Sequence, residues 1–470
     1  MLRLAWYGDD FTGASDTLAT VAGAGLRTLL FTGVPTAMQL ARAGELDALG
    51  VAGTARALAP AAMREELAPV AAWFAALNAP VTHYKCCSTF DSAPHVGNLA
   101  VGLQALRTPA HQAWVPVIGG QPSLGRFCAF ATLFASASAG GEVHRIDRHP
   151  TMSRHPVTPM HEADLRRHLA AQGLTDLAHI DLRRLDDASD AALDAALDSL
   201  LDAAANPGSP PAAGIPKAGP RQFDHEGHAG WPPLATPVAT LFDVTRHEHL
   251  ARIGRLLWQR ARRRPLLALG ASSVAQALVA QWQAEGLGPA AQVRVAPAAG
   301  PVFVLVGSLS PVSAAQADHA AAFFETIEVR VPLLIDSEAY LQNLADQCAA
   351  LLRQGRPVLA RTSAPSGGST PPMDVARTCG RLLARVLDGA PHVRRIGVAG
   401  GDTSSFALRE LKPWALRWAG PLVPGLALLR LCSDEPRHEG LEMILKGGQI
   451  GGPDAFERLL KGPARLDLVR

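Results

Sequence analysis

One pattern recurs along the chain and limits the folds open to it: a short apolar run, a turn of small residues, then a helical stretch. LLALGASSVAQAL (Leu266–Leu278), FVLVGSLSPVSAAQ (Phe303–Gln316) and RRIGVAGGDTSSFALREL (Arg394–Leu411) all read this way. The opening, from Leu2 through YGDDFTGASD (Tyr7–Asp16), does the same. A strand that runs directly into a helix returns to its sheet by a crossover, which makes neighbouring strands parallel and covers both faces. The expected class is therefore α/β, with similar units of a doubly wound layout and no sequence repeat at fixed period. At 470 residues the chain is too long for one ordinary core. Two domains are expected, each a mostly parallel sheet flanked by helices, with ligands in the cleft between them.

The first half gives strands at Leu2–Tyr7, Leu26–Thr32, Ala48–Ala52, Val81–Cys86 and Ala113–Ile118. Helices are expected at Ala14–Ala24, closed by Gly25, at Ala61–Leu77 and at His95–Leu106. The motif at Tyr7–Asp16 reads as a loop, and so does the His- and Pro-rich run Arg145–Met160. Residues 203–237 include PGSPPAAGIPKAGP and have the density of a linker or surface insertion. The pattern resumes near Val238, so the domains are expected at 1–237, for a substrate, and 238–470, for a nucleotide.

Charge and composition remove several classes of function. Basic residues number 44 and acidic ones 42, for a formal net charge of +2, and only 5% of residues are aromatic. That balance provides no basic field for a polyanion and few stacking platforms, so a nucleic-acid partner is not expected. The six cysteines have no metal spacing, which fits reduced thiols in a cytoplasmic protein. Apolar runs are broken well short of a membrane span, so no membrane partner is expected. Lysine occurs only at 85, 217, 412, 446 and 461. Lys85 and Lys446 stand beside turns of small residues, where a compact ammonium suits an anion.

Ligands of open α/β sheets bind beyond the carboxyl ends of the strands. Those positions in the first half carry Asp9 and Asp10, then Arg56 in GTAR, then Lys85, Cys86, Cys87 and Ser88 in KCCSTFDS, then GGQPSLGR. Arg56 and Lys85 suit a carboxylate and Asp10 suits hydroxyls, so the expected ligand is a small acid bearing hydroxyl groups. Asp10 before a helix also suits an N-cap, which for that residue alone is the commoner role. In the second half Gly400, Gly401, Asp402 and Thr403 turn from strand into helix, as do Ser272 and Ser273. Lys446, Gly447 and Gly448 lie in LKGGQIGG. Backbone N–H groups at such turns converge on phosphates. Neither a Walker A sequence nor GxGxxG is present.

An acid site and a phosphate site together point to phosphoryl transfer, with Asp10 or Asp402 as the base and Mg²⁺ carried mostly by ATP. His149 and His155 lack the spacing of a helical metal pair, and loop ordering is the expected role. An aspartate-based phosphohydrolase needs a second carboxylate two positions after the first, whereas Asp9 and Asp10 are adjacent. A sensor that binds acid and ATP without turnover is the remaining rival. A homodimer is the base-rate assembly.

GDDFTGASD, KCCSTFDS, RIDRHPTMSRHPVTPM, GGDTSSFAL and LEMILKGGQIGGPDAF, in this order, resemble the four-carbon acid sugar kinase family. The resemblance runs from about Leu2 to Phe456. It implies an N-terminal sugar-acid domain, a C-terminal ATP domain, and phosphorylation of threonate, erythronate, 3-oxo-tetronate or branched 3-oxo-isoapionate. It places acid contacts on Asp10, Arg56 and Lys85–Ser88. Nucleotide contacts fall on the ALGASS turn, on Gly400–Thr403 and on the glycines after Lys446. YGDDFTGAS and KCCSTFDS look closer to the 3-oxo-isoapionate branch than to the ADD(L/F)TGA and KxDS forms of many relatives.

Overall fold

The computed structural model describes residues 1–137, 140–155, 157–175, 177–205, 238–288, 293–363 and 371–463. The expected insertion at 203–237 lies outside the described residues from 206 onward. In chain order the first strands are β1 (Leu4–Gly8), β2 (Thr28–Phe31), β3 (Ala48–Ala52), β4 (Val81–Lys85), β5 (Trp114–Ile118) and β6 (Arg126–Ala129). Next come β7 (Thr132–Ser136), β8 (Val143–Arg145), β9 (Leu177–Ile180), β10 (Val238–Phe242), β11 (Leu266–Gly270) and β12 (Val302–Val306). The last are β13 (Glu325–Val329), β14 (Val358–Thr362), β15 (Arg395–Ala399), β16 (Ala415–Val423), β17 (Leu426–Cys432) and β18 (Glu442–Lys446).

Contacts divide the chain into two compact units. The first comprises Met1–Asp9, Thr54–Ala137 and Gly141–Pro289; the second comprises Asp10–Gly53, Ser138–Gly140 and Ala290–Arg470. In the first unit β1-β4-β11-β5-β10-β9 form a parallel array. An antiparallel sheet β6-β7-β8 accompanies it. Strands β1, β4, β5 and β11 are buried along their whole length, as expected of parallel strands covered on both faces. In the second unit β13-β14-β12-β15-β18 are parallel, β17 and β16 follow antiparallel, and β2-β3 are parallel to each other.

The α/β class expected from the sequence is what the chain forms, with a mostly parallel sheet flanked by helices. The expected boundary at 237/238 needs correction. Strand β10 pairs in parallel with β5 and β9, and β11 with β4 and β5, so both strands take their sheet hydrogen bonds from the first unit. The motif read as a loop ends β1 and opens a helix, Phe11–Gly23, that starts before the expected Ala14. Asp10 is its N-cap: Oδ1 accepts the Gly13 N–H at 2.8 Å and Oδ2 accepts the Thr12 hydroxyl at 2.7 Å. Such a cap stabilises by about 1 kcal/mol. This helix packs on β2, β3, β16 and the helix Gly401–Leu411, so Asp10 belongs to the second unit while Asp9 ends the first unit's opening segment.

Close packing in the first unit depends on one small residue. The helices His247–Ala261 and Ser273–Ala284 press together with Trp258 and Trp282 edge to face at 5.4 Å. A Cβ on Gly254 would lie 1.8 Å from the Ala277 carbonyl oxygen. The helices would have to separate, and overpacking of this kind costs roughly 1–3 kcal/mol or more. Gly254→Ala is therefore expected to lower the urea midpoint clearly, whereas Gly286→Ala meets no neighbouring atom within 4 Å and loses only what its positive φ dictates.

Candidate functional site

In the first unit the parallel register brings the ends of β1, β4 and β11 level: Gly8 pairs with Lys85, and Gly270 with Lys85. The hydrogen bonds continue past the strands. The Asp9 N–H donates to the Lys85 carbonyl at 3.0 Å, and the Cys86 N–H to the Gly270 carbonyl at 3.0 Å. The Arg56 N–H donates to the Asp9 carbonyl at 3.1 Å. Asp9, Arg56, the Lys85 segment and the ALGASS turn thus converge at one sheet edge. Lys85 is 3% exposed and Asp9 1%, so both charges are held almost out of solvent, where an ionic ligand is bound strongly.

The Arg56 guanidinium lies 3.8 Å from the Asp91 carboxylate. Asp91 accepts the Thr89 hydroxyl at 2.6 Å, and the Cys87 thiol lies 3.1 Å from the same hydroxyl. Burial alone would raise the Asp91 carboxyl. Arg56, His155 and the hydrogen bonds from Cys87 and Thr89 outweigh it and hold the group at about 2. Asp91 therefore stays ionised and fixes the Arg56 side. A second guanidinium, Arg126, is 7% exposed; burial lowers it, while Cys87 and Asp91 act to raise it.

The GTAR loop is anchored by a residue that sequence reasoning did not find. Glu66 accepts the Tyr7 hydroxyl, the Thr54 N–H at 2.7 Å and the Thr54 hydroxyl at 2.6 Å. Its position mid-helix in Pro60–Leu77 gives no sequence signal, because the partners lie on other elements. Gly97, at φ +61°, approaches the same loop: a Cβ there would lie 2.6 Å from the Arg56 carbonyl oxygen.

In the second unit β12, β15 and β18 end together. The Gly307 N–H donates to the Ala399 carbonyl at 2.9 Å and the Gly400 N–H to the Lys446 carbonyl at 2.8 Å. Gly400 has φ +121° and leads into the helix Gly401–Leu411, with Asp402 exposed and Thr403 buried in its first turn. A Cβ on Gly307 would lie 2.2 Å from Thr403 Oγ1, and one on Gly448 3.0 Å from Ser308 Oγ. Glycine at these turns lets the Thr403 and Ser308 side chains pack directly against backbone.

The expected residues do not all fall where the sequence put them. Ser272 and Ser273, expected in one domain with Gly400, stand in the first unit after β11, whose last residue Gly270 pairs with Lys85, and both are wholly buried. Asp10, expected with Arg56 and Lys85, is grouped with Gly400–Thr403, Asp402 and Lys446–Gly448. Cys86 is 1% exposed and burial pushes its thiol well up, so its side chain is packing. Lys446 is wholly buried; its ammonium donates to Ser313 Oγ at 3.0 Å and to the Gly447 and Gly448 carbonyls at 2.9 and 3.4 Å. It does not project from the turn as the sequence suggested. His149 and His155 order their loop: each Nδ1 accepts backbone N–H groups, from Thr151 and Met152 and from Thr158. Among the described residues no group of three or more His, Cys, Asp or Glu side chains could hold a metal, and no helix is long and apolar enough to cross a membrane.

Comparison with known proteins places the chain in a family. A family model described as a sugar-binding N-terminal domain matches residues 4–278, and one described as a nucleotide-binding C-terminal domain matches 303–456. The 3-oxo-isoapionate kinase of Paraburkholderia graminis is 37% identical, over 98% of this chain and 94% of its own. The chain belongs to the four-carbon acid sugar kinase family. The 3-oxo-tetronate kinase of Methylobacterium radiotolerans is 28% identical, over 98% of this chain and 99% of its own. A solved structure from Salmonella typhimurium shares the fold, with TM-score 0.72, 22% identity, and 97% and 98% of the two chains covered. One from Haemophilus influenzae does so with TM-score 0.66, 20% identity and the same coverage.

The thiols offer a direct test of the first cluster's geometry. Cys87 is half-buried, whereas the other five cysteines are buried, and reactivity follows access and thiolate character. Iodoacetamide on the native protein should label Cys87 first. Cys87→Ser should abolish that early phase, and mass spectrometry of the digested protein reads both.

Proposed function

We propose that the protein is an ATP-dependent kinase that phosphorylates a hydroxyl of a small sugar acid, with a branched acid of the 3-oxo-isoapionate type as its preferred substrate. The observation that carries this reading is the 37% identity to a 3-oxo-isoapionate kinase over 98% of the chain, a span that includes both strand-end clusters. The four-carbon acids threonate, erythronate and 3-oxo-tetronate are the next candidates.

In this reading Lys85 and Arg56 meet the acid's carboxylate, with the Asp9 backbone and the Cys87–Ser88 turn shaping its seat. Asp10 accepts a substrate hydroxyl. Its two oxygens also cap the helix Phe11–Gly23, and a carboxylate oxygen can accept more than one hydrogen bond. Its carboxylate is also the proposed base. Asp402, an exposed carboxylate in the first turn after Gly400, would repel bare phosphate, and it fits a Mg²⁺ ion that ATP brings with it. That ion supplies charge neutralisation at the phosphates. Gly400, Gly401, Thr403, Gly447 and Gly448 present backbone and hydroxyl groups to the phosphates. Ser272 and Ser273, wholly buried, support the turn that follows β11.

An assay of ADP release across a panel of four- and five-carbon sugar acids tests the reading. Turnover should be fastest with the branched acid. ATP binding without ADP release from any acid would mean a sensor, and phosphate release from a sugar phosphate without ATP would mean a hydrolase. Lys85→Ala should raise KM for the acid about ten- to a hundred-fold, the weight of a lost charge-assisted bond, and leave ATP affinity within twofold. Gly400→Ala, which strains the φ +121° turn, should do the reverse.

A further inference from the structure

Residues 445–452, LKGGQIGG, have five of their carbonyl groups held by the Lys446 side chain and by one helix with its cap. The Lys446 ammonium takes the carbonyls of Gly447 and Gly448 at 2.9 and 3.4 Å and is braced by Ser313 Oγ at 3.0 Å. The Gly448 carbonyl also accepts the Ser310 and Ser313 hydroxyls. Gln316 Nε2 reaches the carbonyls of Ile450, Gly451 and Gly452 at 3.1, 3.0 and 2.9 Å. Ser310 caps the helix Pro311–Ala320, which carries Ser313 and Gln316. Lys446, Ser313 and Gln316 are all 0% exposed.

A trans peptide holds its N–H opposite its carbonyl. Carbonyls drawn toward that helix and the Lys446 side chain therefore turn the N–H groups of Gly448, Gly451 and Gly452 the other way. Successive N–H groups on one side of a glycine turn make an anion-binding concavity. Five converging carbonyl dipoles repel one another unless a donor stands among them. A buried ammonium is costly, and burial pushes Lys446 down to about 7; Ser313 Oγ and the two glycine carbonyls are the acceptors around its Nζ.

We infer that Lys446 and Gln316 are positioning residues for the nucleotide phosphates, holding the glycine turn with its N–H groups outward, and that the Lys446 ammonium does not itself contact phosphate. The inference rests on the proposed nucleotide role of this turn and adds how the turn is held. It extends that role to Gln316, which no sequence motif singles out.

The test uses full-length protein, with wild type, Lys446→Met and Gln316→Leu titrated with Mg²⁺·ATP and with adenosine by calorimetry, alongside steady-state kinetics. Both variants should bind ATP at least tenfold more weakly. Adenosine affinity, KM for the acid, and kcat at saturating ATP should stay within about threefold. A merely structural role would instead lower kcat and both affinities together. If Lys446→Met weakens ATP and Gln316→Leu does not, the ammonium touches phosphate directly and the inference is overturned; unchanged ATP affinity in either variant also overturns it. Should Lys446→Met fail to fold, Gln316→Leu decides alone. Wild type that neither binds nor consumes ATP would remove the kinase reading and this inference together, whereas an active wild type with normally binding variants removes only this inference.

Discussion

Parallel pairing is the constraint from which the rest of this structure follows. Strands that all run one way put their carboxyl ends on one edge, and every chain segment that leaves there must turn before it enters a helix. The turns in this protein are where charge and small residues accumulate. In the first unit the register that sets Gly8 and Gly270 level with Lys85 makes neighbours of segments nearly two hundred residues apart. In the second, the level ends of β12, β15 and β18 gather glycines 307, 400 and 448. The chemistry proposed for the molecule uses groups that the hydrogen-bond ladder has already delivered.

The two clusters solve different electrostatic problems. The first holds cations nearly out of water and needs an internal carboxylate, Asp91, to keep Arg56 in place; Glu66 secures the loop on which Arg56 rides. The second offers backbone in place of side-chain charge. Its one buried ammonium faces inward to carbonyl oxygens. A carboxylate ligand and a polyphosphate ligand would thus be met by different means, point charges in one case and oriented peptide dipoles in the other.

Much of the fold was legible because apolar runs broken by small-residue turns are a local signal. Strand Ala48–Ala52 stands where the sequence put it, and β4 and β5 differ by a single residue at one end. The long-range assignments were not legible. Strand β10 looks like the opening of the second domain, yet its partners are β5 and β9, and no local pattern records which strand a run will pair with. Asp10 and Lys446 show the same limit at single residues. The acid before a helix was read for both capping and catalysis, and only coordinates show both oxygens at the cap. A lysine among glycines looks like a phosphate ligand until the carbonyls that surround it are seen. Glu66 and Gln316 sit inside ordinary helices, where nothing in the sequence marks them.

The central claim is that the first unit's strand ends hold the acid and the second unit's glycine turns hold the nucleotide. Hydrogen–deuterium exchange of the full-length protein with each ligand alone tests this most directly, since ligand contact slows opening locally. The account predicts that the sugar acid slows exchange around Thr54–Arg56 and Lys85–Ser92. A non-hydrolysable ATP analogue should slow it around Gly400–Ser404 and Gly447–Gly452. Acid protection confined to the glycine turns, or analogue protection confined to the Lys85 segment, would contradict it.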